Sequence, residues 1–205
     1  AVPDWLIEDS PGLRIEVESG HVRCASGLQL GIRYAADLWQ DRISDHLTDP
    51  KFEYVKNRQD FWRIAVLDKW LGNCDSRQAV FTRRSDQREY YATFIDYGYC
   101  FNGPEWTFPD LPLHGVFHRN SVYRGVTGWD SFEPALSWAE SFDSQTLWTL
   151  ASEIPPEWYQ CNWEALSGLV ESLYARRSTV RDLIVRFRDC SRDPFPDWKE
   201  NRISS

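Results

Sequence analysis

The sequence contains no methionine, and only four of its 205 residues are lysine: Lys51, Lys56, Lys69 and Lys199. Without an initiator residue, the chain is expected to be a fragment or a processed product. It also has no apolar run near the roughly 18 residues of a membrane-spanning helix, and no basic-then-apolar leader. The expectation is a soluble, cytoplasmic protein with no membrane partner. The five cysteines (Cys24, Cys74, Cys100, Cys161 and Cys190) are odd in number, widely spaced and form no CxxC. That pattern argues against a disulfide framework and against structural zinc. Scarce lysine and a formal net charge of -8 argue against nucleic acid as the main partner, because phosphate-backbone binding needs clustered cations. The densest basic cluster is Arg176, Arg177, Arg181, Arg186 and Arg188. It falls at helical spacing among apolar residues and reads as a solvated helix face.

What the chain does have is aromatic side chains, 15% of the total, with 11 tryptophans. Most such rings are expected in a core, since each buries much area; the alternative is a sugar-binding or base-stacking face. Hydrophobic residues at 42% and charged residues at 26% suit one globular core and argue against global disorder.

Punctuation by Pro and Gly divides the chain. Residues 1–30 read as a linker or the end of a small N-terminal lobe, with strand-like alternation only over Leu13–Val17. Residues 31–192 read as the main body, and 193–205 as a loose tail. In the body, short helical stretches are expected around Ala36–Asp41 and Pro50–Lys56. Asn57–Leu71 is the clearest helix, with Asn57 as N-cap, Gly72 as stop, and apolar residues nearly all round, the mark of a buried central helix. The runs Ala79–Arg83 and Glu89–Asp96, joined by polar Arg84–Arg88, predict a hairpin. A long irregular stretch, Gly98–Gly128, follows, with Trp106, Phe108, Phe117 and Tyr123 expected to pin it to the helical body. Helices are expected over Phe132–Phe142, Ser144–Glu153, Asn162–Arg176 and Ser178–Cys190, with Pro155–Pro156 as a break. The fold class is therefore α+β, mainly α-helical.

The chemistry concentrates in Asp68-Lys69-Trp70-Leu71-Gly72-Asn73-Cys74-Asp75-Ser76-Arg77-Gln78 and in Ala92-Thr93-Phe94-Ile95-Asp96-Tyr97-Gly98. A buried helix delivers Asp75 on the turn that follows it, and the second strand of a hairpin delivers Asp96. Two carboxylates at the ends of rigid elements can converge, as phosphoryl transfer requires: one for the acceptor hydroxyl, one for magnesium. Each Asp alone would also suit an ordinary turn, and Arg77 could simply form an ion pair with Asp96. His114 and His118 lie four apart in the aromatic loop, without a carboxylate or thiol at supporting spacing, and read as loop histidines. Cys74 and Cys100 flank the two aspartates as packed thiols or as a redox pair. Ser121, Thr127 and Ser131 are hydroxyls that the sequence does not distinguish as phosphoacceptors.

These stretches resemble the catalytic and metal-binding segments of HipA-like kinases, and are more distantly similar to those of type II phosphatidylinositol 4-kinases. Those families read roughly N-x-D-R-H-x-x-N at the catalytic loop, and I-D-x-G at the metal aspartate. Asn73-Cys74-Asp75 matches the first, Ile95-Asp96-Tyr97-Gly98 the second, and the preceding D-x-W-L-G-N helix end matches as well. The resemblance implies a protein-kinase-like C-terminal lobe with a β-hairpin at its active site. It implies Asp75 as catalytic residue, Asp96 as metal ligand, and Asn73, Arg77 and Gln78 as cofactor-binding residues. ATP and Mg2+ would be the cofactors of the intact protein, and a protein Ser/Thr hydroxyl the acceptor. Two departures stand. Val80 occupies the place of the family's metal-binding Asn, and residues 1–56 hold no glycine-rich phosphate loop or convincing strand lysine. A pseudokinase-like interaction module and an aromatic-rich carbohydrate-binding or carbohydrate-processing domain are the competing readings.

Overall fold

The computed structural model describes residues 1–17, 20–29, 36–37 and 39–199. They form an α+β protein in which helix outweighs strand, about 44% to 14%, with two small antiparallel sheets. The chain divides into two compact units, residues 1–35 and residues 36–205.

The first unit, where a linker or the end of a small N-terminal lobe was expected, contains short elements of secondary structure. A short helix, α1 (Asp4–Glu8), precedes a hairpin of β1 (Arg14–Val17) and β2 (Gly20–Arg23), in which Ile15 faces Val22. Val2 and Gly27 close the unit by exchanging backbone hydrogen bonds, and the Arg23 guanidinium donates to the Ile7 carbonyl at 2.9 Å.

In the second unit the stretch expected to be helical around Ala36–Asp41 instead leads into strand β3 (Asp41–Ser44), with Leu38 outside the described residues. The Asp37 carboxylate accepts from the Trp39 amide, which turns the chain, and β3 then pairs with the hairpin. Short side-chain-to-backbone bonds of this type compete directly with helix. Asp49–Tyr54 forms a 3-10 turn where a helical stretch was expected.

The central helix, α2 (Asp60–Leu71), ends at Gly72 in a left-handed conformation (φ 60°, ψ 43°), as its sequence anticipates. Phe108 approaches so closely that a Cβ at Gly72 would lie 2.5 Å from its ring. Asn57 does not cap this helix. Its side-chain amide instead brackets the backbone of Ala92, donating to the carbonyl and accepting from the amide, both at 2.9 Å. Helix start and sheet are thereby joined. The burial of α2 is also less than complete: Ile64 and Leu67 are half-buried and line an open apolar groove of about 280 Å³ with Phe94 and Trp138.

Strands β4 (Gln78–Arg84) and β5 (Tyr91–Ile95) form the expected hairpin, and β3 adds a third strand in the order β3-β4-β5. Four helices complete the unit: α3 (Ala135–Ser141), α4 (Ser144–Ser152), α5 (Trp163–Arg176) and α6 (Val180–Arg188). Asp143 and Asn162 cap α4 and α5, accepting from the amides of Thr146 and Ala165. Phe61 lies at the centre of an aromatic core, edge-on to Phe94 and Phe117 at 4.9 Å and stacked on Phe81 at 6.2 Å.

The segment from Gly98 to Gly128 is irregular but fastened. Phe117 and Tyr123 are buried, and the Tyr123 hydroxyl accepts from the Phe117 amide at 2.9 Å. Trp106 and Phe108 are half-buried against the core. Two cations reach in from helices. Lys69 donates to the carbonyls of Pro112 and His114, and Arg176 makes a two-pronged contact with Asp110 while donating to the carbonyls of Lys69 and Trp70. The arginines of α5 and α6 are thus not a merely solvated face: Arg176 is buried, and Arg181 pairs with Glu140 at 2.5 Å. Nor is the tail loose through residue 199. Phe195 is buried, Asp197 accepts from the Gly125 amide, and Lys199 donates through its amide to Thr127.

Burial pulls the Lys69 ammonium down from 10.5 to about 8, against the opposing charges of Asp68 and Asp110. Its folded value lies below the unfolded one, so the native state gives up the proton first, and stability gains from this residue as pH rises from about 8 to 10.5. Urea unfolding of wild type and Lys69→Met at pH 7.5 and pH 10 is expected to show the wild type gaining about 2–3 kcal/mol relative to the variant at the higher pH. A pH-independent difference would contradict this.

Candidate functional site

The end of α2, the loop 73–77 and the end of β5 meet around one buried ion pair. Asp68 and Arg77 are each 1% exposed. Arg77 grips the carboxylate with two parallel bonds, Nε to Oδ2 at 2.8 Å and Nη2 to Oδ1 at 2.6 Å. Its remaining arm donates to the carbonyls of Ile95 and Asp96, at 2.6 and 3.0 Å. The Tyr97 ring covers the guanidinium at 4.3 Å. Burial pushes the Asp68 carboxyl upward, and the bonds from Arg77 and Asn73 oppose that rise.

Asn73 is equally enclosed. Its amide nitrogen donates to Asp68 Oδ1 at 3.1 Å, and its carbonyl oxygen accepts from the Asp75 amide at 3.2 Å. From above, Gly115 packs so tightly (φ 68°) that a Cβ there would lie 2.6 Å from the Asp68 Cβ. The Gly115 amide donates to the Asp75 carbonyl, and the Arg77 amide to the Val116 carbonyl. The loop that bears Asp75 is therefore held on both sides.

Asp75 itself is exposed. One carboxylate oxygen accepts from the Ser76 amide at 2.6 Å; among the described residues the other has no hydrogen-bond partner. Asp96 is exposed too, in a left-handed conformation (φ 62°) that non-glycine residues adopt sparingly. Its Oδ1 accepts from the Gly98 amide at 3.3 Å and its Oδ2 from the Gln78 side chain at 2.9 Å. Gln78 is opposite Ile95 in the hairpin register, so Asp75 and Asp96 leave the sheet at the same end. Their two loops run side by side, because the Cys74 amide donates to the Tyr99 carbonyl at 3.1 Å.

The five residues singled out from the sequence thus divide. Asp75, Asp96 and Gln78 are at the exposed end, whereas Asn73 and Arg77 are locked inside. Arg77 does not reach the open side, and its ionic partner is Asp68 instead of Asp96. Asp68, part of the helix-end pattern in sequence, is the site residue that spacing alone does not single out. An acidic residue on an apolar, buried helix was the available signal. Val80 lies within β4 opposite Thr93 and presents no polar atom in its side chain.

Among the described residues no group of three or more His, Cys, Asp or Glu side chains is placed to hold a metal ion, and no helix is long and apolar enough to cross a membrane. No family model, no curated protein and no solved structure matches the chain.

Removing one partner of a buried pair strands the other charge, which costs more than the pair contributes. Asp68→Ala is expected to destabilise the fold by about 3–5 kcal/mol in urea unfolding, against less than about 1 kcal/mol for exposed Asp75→Ala. Equal effects would remove Asp68 from its central place.

Proposed function

We propose that this chain is the large-lobe portion of a HipA-like kinase and that the intact protein transfers a phosphoryl group from ATP to a hydroxyl, with a protein Ser/Thr as acceptor. The observation that carries the reading is the pairing of the Asp75 and Asp96 loops, side by side at the open end of a hairpin and anchored by a common buried ion pair. Both carboxylates keep free accepting capacity at an exposed edge, and the ion pair that anchors their loops is buried.

In this reading Asp75 accepts the proton of the attacking hydroxyl, through the oxygen that no described residue occupies. Asn73 holds the Asp75 backbone, and Arg77 holds the backbone of Asp96. Asp96 is the residue that would hold magnesium. A lone carboxylate suits that ion, which binds through one or two carboxylates and completes its shell with water and substrate phosphates. When bound, magnesium supplies neutralisation of the phosphate charge. Gln78 fixes the Asp96 carboxylate from the side.

One observation favours a second reading. Val80 offers no oxygen at the position where the family carries a metal-binding Asn, which suits a pseudokinase-like module that engages partners without transfer. Calorimetric titration of ATP, with and without magnesium, separates the two. The kinase reading expects magnesium-dependent binding, weakened about tenfold or more by Asp96→Asn and left within about twofold by Asp75→Asn, because an amide carries no formal charge for the ion. Binding that ignores magnesium, or that Asp96→Asn leaves intact, would overturn it.

A further inference from the structure

We propose that Cys74 and Cys100 form a reversible thiol–disulfide site that links the loop bearing Asp75 to the segment following Asp96. This inference stands on loop geometry and does not rest on the phosphotransfer reading. Among the cysteines, Cys74 and Cys100 are brought together by the fold. The peptide that accepts from the Cys74 amide is the one joining Tyr99 to Cys100, at 3.1 Å. Backbones joined by such a bond run roughly 5 Å apart, and a disulfide spans Cα atoms roughly 4.4–6.8 Å apart, so a residue adjoining the bonded peptide is within the reach of a bridge. The Cys74 Sγ lies 3.5 Å from the Tyr99 carbonyl oxygen, the atom that leads into the Cys100 peptide.

The two thiols differ in a way that assigns their order of reaction. Cys74 is half-buried and open to small oxidants, while Cys100 is 7% exposed. Burial above all, with the negative charge of Asp68 adding to it, pushes the Cys100 thiol up to about 12, against the pull of Arg77. Cys100 is thus a protonated, sheltered thiol at neutral pH. It does not meet a peroxide first, but it is next to whatever Cys74 becomes.

With hydrogen peroxide as oxidant the steps balance. The Cys74 thiolate attacks one peroxide oxygen; the S–O bond forms, the O–O bond breaks, and the departing hydroxide takes a proton to leave as water. Cys74 is then a sulfenic acid. The Cys100 sulfur attacks the Cys74 sulfur; the S–S bond forms, the S–O bond breaks, and the hydroxyl leaves as a second water with the Cys100 proton. Two thiols and one peroxide become one disulfide and two waters. A dithiol reductant returns both thiols by exchange.

Non-reducing peptide mapping by mass spectrometry tests this on the whole chain, reduced first and then treated with a few equivalents of peroxide at pH 8. The expected result is a Cys74–Cys100 linked peptide as the main disulfide, lost on treatment with dithiothreitol. In Cys100→Ser the link should be replaced by a Cys74 sulfenic acid that dimedone traps, since the resolving thiol is gone. Recovery of both cysteines unlinked, or linkage of either mainly to Cys24, Cys161 or Cys190, would overturn the proposal.

Discussion

The buried pair of Asp68 and Arg77 is the interaction on which the candidate site depends. Taking two charges out of water costs several kcal/mol per ion, and their mutual attraction offsets that only when geometry is good and the remaining donors and acceptors are used. Here the guanidinium meets the carboxylate fork to fork, Asn73 satisfies the carboxylate again, and the third arm is spent on two backbone carbonyls of the strand end. The pair ties together a helix, a loop and a strand end. Its contribution is less to net stability than to geometry: Arg77 bonds the Asp96 backbone, and Asn73, which donates to Asp68, bonds the Asp75 backbone.

Around that pair, charge is used inside the protein as a fastener. The long aromatic segment makes backbone bonds of its own, but the carbonyls of Pro112 and His114 depend on a side-chain donor where it crosses the body. Lys69 donates to them from its helix, Arg176 grips the Asp110 carboxylate from another, and Phe117 and Tyr123 supply the apolar burial. The depressed Lys69 ammonium is the electrostatic cost of that arrangement. The same logic accounts for many of the rings in the chain: the cluster around Phe61 uses them as core, edge to face, where each buries large area and packs at favourable angles.

The amino-acid sequence by itself determined the features set by short-range periodicity and punctuation. The apolar circumference of α2, the left-handed stop at Gly72, the hairpin, the apolar stripes of α5 and α6, and the delivery of Asp75 and Asp96 at the ends of rigid elements are all legible within windows of a dozen residues. Tertiary structure alone decided which polar groups meet. Nothing in the spacing shows that Arg77 turns back to Asp68, that Asn57 brackets Ala92 instead of capping its own helix, or that Asp197 fastens the tail to Gly125. Strand β3 was hidden for the same reason, since its partner β4 lies far along the chain. Propensities and caps act between neighbours, whereas a buried charge or amide is satisfied by whatever donor or acceptor the packed chain brings within about 3 Å, and that distance is settled only when the fold closes.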